Sequence, residues 1–142
     1  MNEIVINGKN SYKDYGLVAR EKIVINPPEP IIIQIEVPGR AEVIDASESL
    51  TGKMEYKNRS GSIDFLVIGN IRENIDKAVK DLHGKKVSLF LMSDNKSIYE
   101  GRIYISDIKV DKNNTYLTLS YNLNPYKKKY KDNSELEFEE VI

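Results

Sequence analysis

From Met54 onward the chain alternates. Met54 and Tyr56, then Ile63, Phe65 and Val67, stand at every second position with polar neighbours between them. That is the period of strands with one buried face. "KNRSG" between the two groups reads as a hairpin turn. "KVSLFLM", "SIYEGRIYISDIKV" and "TYLTLSYNL" follow as three more strand regions. Ser93-Asp94-Asn95 and the stretch from Asp111 to Asn114 supply their turns. A chain patterned this way buries its apolar side chains in a sheet, so the expected fold class is mainly β.

The first half fits the same class. "EIVING" is a strand ending in the tight-turn pair Asn7-Gly8. "GLVAREKIVIN", residues 16–26, reads as a second extended segment. "PPEP", residues 27–30, forbids helix and makes a stiff corner. Residues 31–37, "IIIQIEV", are the most apolar run and are expected as a strand that ends at Pro38-Gly39.

A single segment has the helical period. Asn70 is placed to cap it, with Glu73 three residues on. Ile71, Ile75, Val79 and Leu82 share one face, and Gly84 after His83 is a stop. The spacing predicts an amphipathic helix over residues 71–83, from Ile71 to His83. The expected architecture is therefore α+β, a β-sandwich or split barrel with this helix covering one face or one open end.

A length of 142 residues suggests one domain. The formal net charge of −1 gives no global field for nucleic acid or an acidic membrane. No apolar run approaches the roughly 20 residues of a membrane helix. The N-terminus has an acid at Glu3 and no apolar block, unlike a signal peptide. The chain has no cysteine, which removes disulfides, thiolate metal sites and cysteine nucleophiles.

Little catalytic chemistry emerges. His83 is the sole histidine and has no partner type to complete a zinc site, so it is read as structural, in the last turn of the helix. No serine lies in a G-x-S-x-G elbow. The eight glycines are scattered singly, not at phosphate-loop spacing. Asp45, Glu48 and Asp64 are the strongest enzyme alternative, because paired acids can flank a sugar. The stacking platforms such a site needs are sparse, with no tryptophan and Tyr56 as the nearest ring. No metal or cofactor is expected.

Two segments ask for a surface role. "VPGRAEVIDASESLTG", residues 37–52, is a long polar connection, and such connections are usually functional. It could serve an active site, a ligand or another protein. "YKKKYK" is followed by the acidic "SELEFEEVI". The lysine–tyrosine run suits single-stranded nucleic acid, but the adjacent acids cancel its charge. Complementary contact between protein subunits and a solvated tail are the two other readings.

Taken in order, "SYKDYGLV", "VPGRAEVIDASESLTGKMEYKNRS", "DLHGKKVSLFLMSDNKSIYEGRI" and "YNLNPYKKKY" resemble the N-terminal domain of phage distal tail proteins, over residues 11–130. The order and spacing of Pro-Gly-Arg, Leu-Thr-Gly, Tyr-x-Asn-Arg, Leu-His-Gly-Lys and Asn-Pro-Tyr-Lys carry the resemblance. It implies a structural, non-catalytic subunit of a virion tail, assembled in the cytoplasm of the host bacterium. It further implies a homohexameric ring joining the tail tube protein to a baseplate hub or tail-tip protein, with DNA passing only as cargo. Many members carry a second, galectin-like C-terminal domain. None follows here, so residues 1–142 are expected to be the ring-forming domain alone, from a phage, a prophage or a tail-derived particle.

On that reading residues 37–52 are a protein–protein segment. Pro38-Gly39 turns the chain, and residues 45–50 form a short turn capped by Asp45 or Ser47. Arg40 or Arg59 reaches a carboxylate or main-chain carbonyl in the same or the next subunit. Packing of the loop within its own chain is the rival. The candidate interface residues are Pro38, Gly39, Arg40, Asp45, Glu48, Arg59, Tyr126, Lys127 and Lys128. The alternative function is a small carbohydrate-binding or carbohydrate-cleaving tail-tip module using Asp45, Glu48 and Tyr56.

Overall fold

The computed structural model describes residues 4–49, 51–91, 97–130 and 138–142. The chain opens with a hairpin of β1 (Ile4–Ile6) and β2 (Lys9–Asn10). Ile6 faces Lys9, which leaves Asn7-Gly8 as a two-residue loop. Both loop residues have positive φ, 50° and 81°, as a tight hairpin matched to strand twist requires. A five-residue helix, α1 (Ser11–Tyr15), follows at once. The Asn10 side chain accepts from the main-chain N–H groups of Tyr12 and Lys13 at 2.8 and 3.0 Å, and left-handed Gly16 closes the other end. Next comes β3 (Leu17–Ala19).

The chain then makes a long excursion that holds β4 (Gln34–Ile35) and β5 (Ile44–Asp45). It returns as β6 (Arg59–Val67), followed by α2 (Ile71–Leu82) and β7 (Lys86–Leu91). The long hairpin β8 (Ser97–Asp111) and β9 (Asn114–Leu123) comes next, then β10 (Lys127–Tyr130) and β11 (Phe138–Val141).

The main sheet is antiparallel, in the order β2-β1-β7-β8-β9-β6-β3, with β10 against β8 at Lys128–Ile98 and β11 outside β10. This path must curl. In a flat sheet β2 and β3 would lie about 29 Å apart at about 4.8 Å per strand. They are joined only by α1 and Gly16, and five helical residues rise about 7.5 Å. The two ends of the path are therefore drawn toward each other and the sheet curls, with β2 and β3 left unpaired to one another. α1 fills the seam, and α2 packs against α1, β6 and β8 over one open end. The interior is one apolar cluster built from alternate positions: Ile4 and Ile6, Phe65 and Val67, Val87 to Leu91, Leu117 to Leu123.

The mainly β class with a covering helix is what the sequence patterning predicts. Several details differ, among them Met54 and Tyr56, which lie outside the named strands, Tyr56 in an isolated bridge to Pro30. Two helices, not one, are present among the described residues; α1 is too short to show a period. α2 ends at Leu82, with His83 as its cap; Ile71, Ile75 and Leu82 pack on the core as expected, joined by Ala78, while Val79 is exposed. Of residues 16–26 only Leu17–Ala19 is strand. Ile23 and Ile25 remain buried without a ladder. "KNRSG" is not a turn: Arg59 pairs with Leu123 and Gly61 with Tyr121 inside β6. Gly61 is there because Tyr121 Oη and Asn26 Nδ2 occupy the space a Cβ would take. The turn at Asp111 to Asn114 is present, with Lys112 at φ 56°. The turn expected at Ser93-Asp94-Asn95 lies outside the described residues.

Candidate functional site: a projecting arm

The excursion between β3 and β6 is anchored first. Asn26 N–H donates to Tyr121 Oη at 2.9 Å, and Asn26 Nδ2 to the Ser60 carbonyl at 3.0 Å. Arg59, only 4 % exposed, donates from Nε to the Pro125 carbonyl at 3.1 Å and from Nη1 to the Asn26 carbonyl at 3.2 Å. A buried guanidinium needs such partners. Its carbon lies 5.4 Å from the centre of the Tyr99 ring, and Lys127 Nζ lies 5.6 Å from the same centre. One cluster thus ties both roots of the arm to the start of the last strands. With Lys22, Ile23, Ile25 and Leu91 it lines a half-open depression.

Beyond this root the chain is a ladder on its own. Lys57 N–H donates to Glu29 O and Ile31 N–H to Glu55 O, both at 2.8 Å, with Pro30 opposite Tyr56. Farther out Ala46 N–H meets Ile33 O at 2.7 Å, Gln34 faces Asp45 and Ile35 faces Ile44. The turn at residues 37–40 closes through Arg40 N–H and Val37 O at 3.1 Å, with Pro38 and left-handed Gly39 (φ 84°) at its centre. Among the described residues β4 and β5 pair with each other and join no other strand. Ile32, Ile35 and Val43 are 59 %, 47 % and 47 % exposed, and Ile33 and Ile44 are exposed with them. By the register, Ile33, Ile35 and Ile44 share one face of this ladder, and Ile32 and Val43 lie on the other.

This corrects the expectation for residues 31–37. They are not a core strand. Only Gln34–Ile35 is strand, and its side chains face solvent. Of the turn expected at residues 45–50, residues 45–49 are described and form a turn capped by Asp45. Its carboxylate accepts from Ser47 N–H at 3.0 Å and from Ser47 Oγ. These bonds hold the Asp45 carboxyl below the usual carboxylate range. Ser49 N–H to Ala46 O and Gly52 N–H to Glu48 O continue the turn. Leu50 lies outside the described residues.

The nominated residues fall into two groups. Pro38, Gly39, Arg40, Asp45 and Glu48 are exposed on the arm. Arg59 is inside the chain at the root and reaches main-chain carbonyls of its own subunit. Tyr126, Lys127 and Lys128 run past that root into β10. There Lys128 faces Glu140 and Lys129 faces Glu139 across the β10–β11 pair. Lys128 Nζ also meets Glu100 Oε1 at 2.9 Å. That hydrogen bond, then the charge of Glu100 and of Glu140, holds the Lys128 ammonium above the usual lysine range. The basic and acidic runs therefore answer each other within one chain.

Of the acids weighed for sugar chemistry, Asp45 and Glu48 lie on the turn of the arm and Asp64 lies in β6. Asp45 is engaged in its turn, and Asp64, in the body of the sheet, accepts from Thr118 Oγ1 at 2.8 Å. Tyr56 belongs to the root ladder. His83 Nδ1 accepts from Ile105 N–H at 2.9 Å, a strand-end role. Among the described residues no group of three His, Cys, Asp or Glu is placed to hold a metal ion. No described helix is long and apolar enough to cross a membrane. Tyr99, Tyr121, Asn26 and Pro125 complete the root and were not singled out from the sequence. Their one signal is tyrosine at inward positions of alternating strands, where each hydroxyl needs a partner.

A curled antiparallel sheet with a helix in its seam, a helix over one end and a self-contained arm defines a mainly β module with a projecting hairpin. No family model matches the chain, and no curated protein matches it. Among solved structures the fold is shared with the SPP1 Dit (gp 19.1) protein, described as a paradigm of the hub adsorption apparatus in phages that infect Gram-positive bacteria. The TM-score is 0.68 at 16 % identity, over 92 % of this chain and 53 % of that one. This chain thus spans about half the length of the SPP1 protein, and the likeness is one of fold.

Proposed function

We propose that this chain is a structural subunit of a phage tail or tail-like particle. It forms a ring, a homohexamer on the family resemblance, that joins the tail tube to the baseplate or tail tip. DNA passes through as cargo, and the chain performs no catalysis. Assembly takes place in the bacterial cytoplasm. The observation that carries this reading is the match of nearly the whole chain to one domain-length part of a phage hub protein. The arm supports it, because an exposed apolar projection on a small rigid body is a feature of assembly partners. Pro38, Gly39, Arg40, Asp45 and Glu48 are then contact residues, while Arg59, Tyr126, Lys127 and Lys128 stiffen the root behind them.

The test is genetic and visual. Disrupting the gene in a producing strain should leave tube assembly without finished tail ends, and antibody against the chain should label one end of intact tails. Normal, unlabelled particles would reject the reading. Glycan binding or turnover by the isolated chain would put the carbohydrate module in its place.

A further inference from the structure

We propose that the open outer edge of β8 takes an extended segment of a different protein, alternately acidic and apolar, which adds to the sheet as a further strand. The inference rests on the tail reading above and names one surface and the chemistry of what it holds.

The edge is visible in the pairing. β7 covers the outer side of β8 only as far as Lys86 opposite Arg102. Gly84 N–H and Lys85 O then bond to Ile103, and His83 Nδ1 takes the N–H of Ile105. Over residues 106–111, among the described residues, no strand pairs with that side. An unpaired edge is a template for an added strand.

The same stretch has apolar side chains on the wrong side for solvent. Beyond the irregularity between Ile105 and Asp107, Ile108 stands opposite Leu117 and Val110 opposite Thr115. Leu117 and Thr115 are buried, so these pairs lie on the core side of the sheet. Yet Ile108 is 43 % exposed and Val110 70 %. The core side of the sheet therefore runs on past the core that covers it. α2 borders this strip, since it packs against β8. Its Val79, also exposed, accepts through its carbonyl from His83 N–H, and His83 is the residue that meets Ile105.

Charge selects the occupant. Residues 83–86 and 102–112, around the open edge, carry five cations and two acids. An acidic segment is attracted there and a basic one repelled. The β8 edge of a second copy would bring like charge onto like, which leaves a different protein. The strand period then fixes the pattern of the guest. Lys109 stands opposite Tyr116, on the face away from Ile108 and Val110. An added strand places its apolar residues over Ile108 and Val110 and its acids on the side of Lys109.

The experiment uses the full chain and a fluorescein-labelled peptide of alternating valine and glutamate, read by anisotropy. The peptide should bind with a Kd below about 1 mM. Its lysine counterpart should bind at least about tenfold more weakly, most clearly at low salt. The glutamate peptide N-methylated throughout keeps the side chains but cannot join a ladder, and it should lose binding to a similar degree. Val110→Asp and Lys109→Glu, both at exposed positions and checked for folding by circular dichroism, should each weaken binding at least about tenfold. Val24→Asp, at an exposed apolar position outside the edge, should not. Amide shifts on titration should fall on residues 103–111 and the last turn of α2. No binding at about 1 mM overturns the proposal. So does equal binding of the lysine or the N-methylated peptide, or of the Val110→Asp chain. Self-association of the wild-type chain that the peptide competes away would give the edge to a second copy and overturn it too. If the peptide fails while antibody still labels tail ends, this inference fails and the tail reading stands. Edge-specific binding by a chain absent from tails gives the reverse.

Discussion

Arg59 Nε points at the carbonyl of Pro125, 3.1 Å away, while its Nη1 holds the carbonyl of Asn26. One side chain thereby fixes where the arm leaves the sheet relative to where β10 begins. Arg59→Ala would strand two carbonyls and remove buried packing, at a cost of about 2–4 kcal/mol. Arg59→Lys should recover only part, because an ammonium cannot make the same forked contact. Urea unfolding of both variants checks this. Loss smaller than that of an exposed arginine such as Arg72 would contradict the anchoring role.

Gly16 makes a different demand. Its φ is 65°, and a Cβ there would run into the Ile68 carbonyl and the Asn74 amide. Asn74 Nδ2 donates to that same carbonyl at 2.6 Å, and Gly16 O accepts from Ile68 N–H at 2.8 Å. The seam helix, β3 and α2 meet at this point. Gly16→Ala should cost more than the roughly 1 kcal/mol of an ordinary left-handed glycine. Asn74→Ala, which keeps the backbone, should cost about 1–2 kcal/mol. Equal thermal midpoints for wild type and Gly16→Ala would refute the close approach.

Much of this architecture was legible. Asn70, Glu73 and Gly84 mark α2 because caps are local chemistry, and β8 and β9 show because their faces differ. The Asn10 cap and left-handed Gly16 also bracket α1, yet five residues give no periodicity to weigh. The isoleucines of residues 31–37 mislead for a physical reason. Apolar content says that a segment avoids water, not whether its own core or a partner covers it. Arg59 and Gly61 mislead in the opposite sense, since what suits them to a strand is the distant Tyr121, Asn26 and Pro125. The lysine run and the acidic run are legible as charges. Their pairing across β10 and β11 is tertiary information.

Tyr15 gives a pH signature. Burial, then the charge and hydrogen bond of Asp81 at 3.3 Å, push its phenol up to about 12. An unfolded tyrosine ionises near 10. The folded state therefore favours the neutral phenol. The resulting stabilisation is complete below about pH 10 and is lost as pH rises from there through about 12. Ultraviolet titration should show one tyrosine ionising late. Tyr15→Phe should flatten the fall in stability over that window and leave its value at pH 7 little changed. A fall of unchanged steepness would assign the effect elsewhere.

The arm should be removable. Among the described residues its strands pair only with each other, and Pro30 already faces Tyr56 across the root. Replacing residues 31–55 by Asn-Gly would convert the excursion into a short hairpin with the root bonds of Asn26 and Arg59 intact. The shorter loop recovers about 1–2 kcal/mol of closure entropy, which offsets the lost outer ladder. The variant should keep its near-ultraviolet circular dichroism and a midpoint close to wild type. If the arm carries the subunit contact, the same variant should lose self-association entirely. An unfolded variant would mean that the arm belongs to the core. A folded variant that still forms wild-type multimers would mean that the contact lies on another surface.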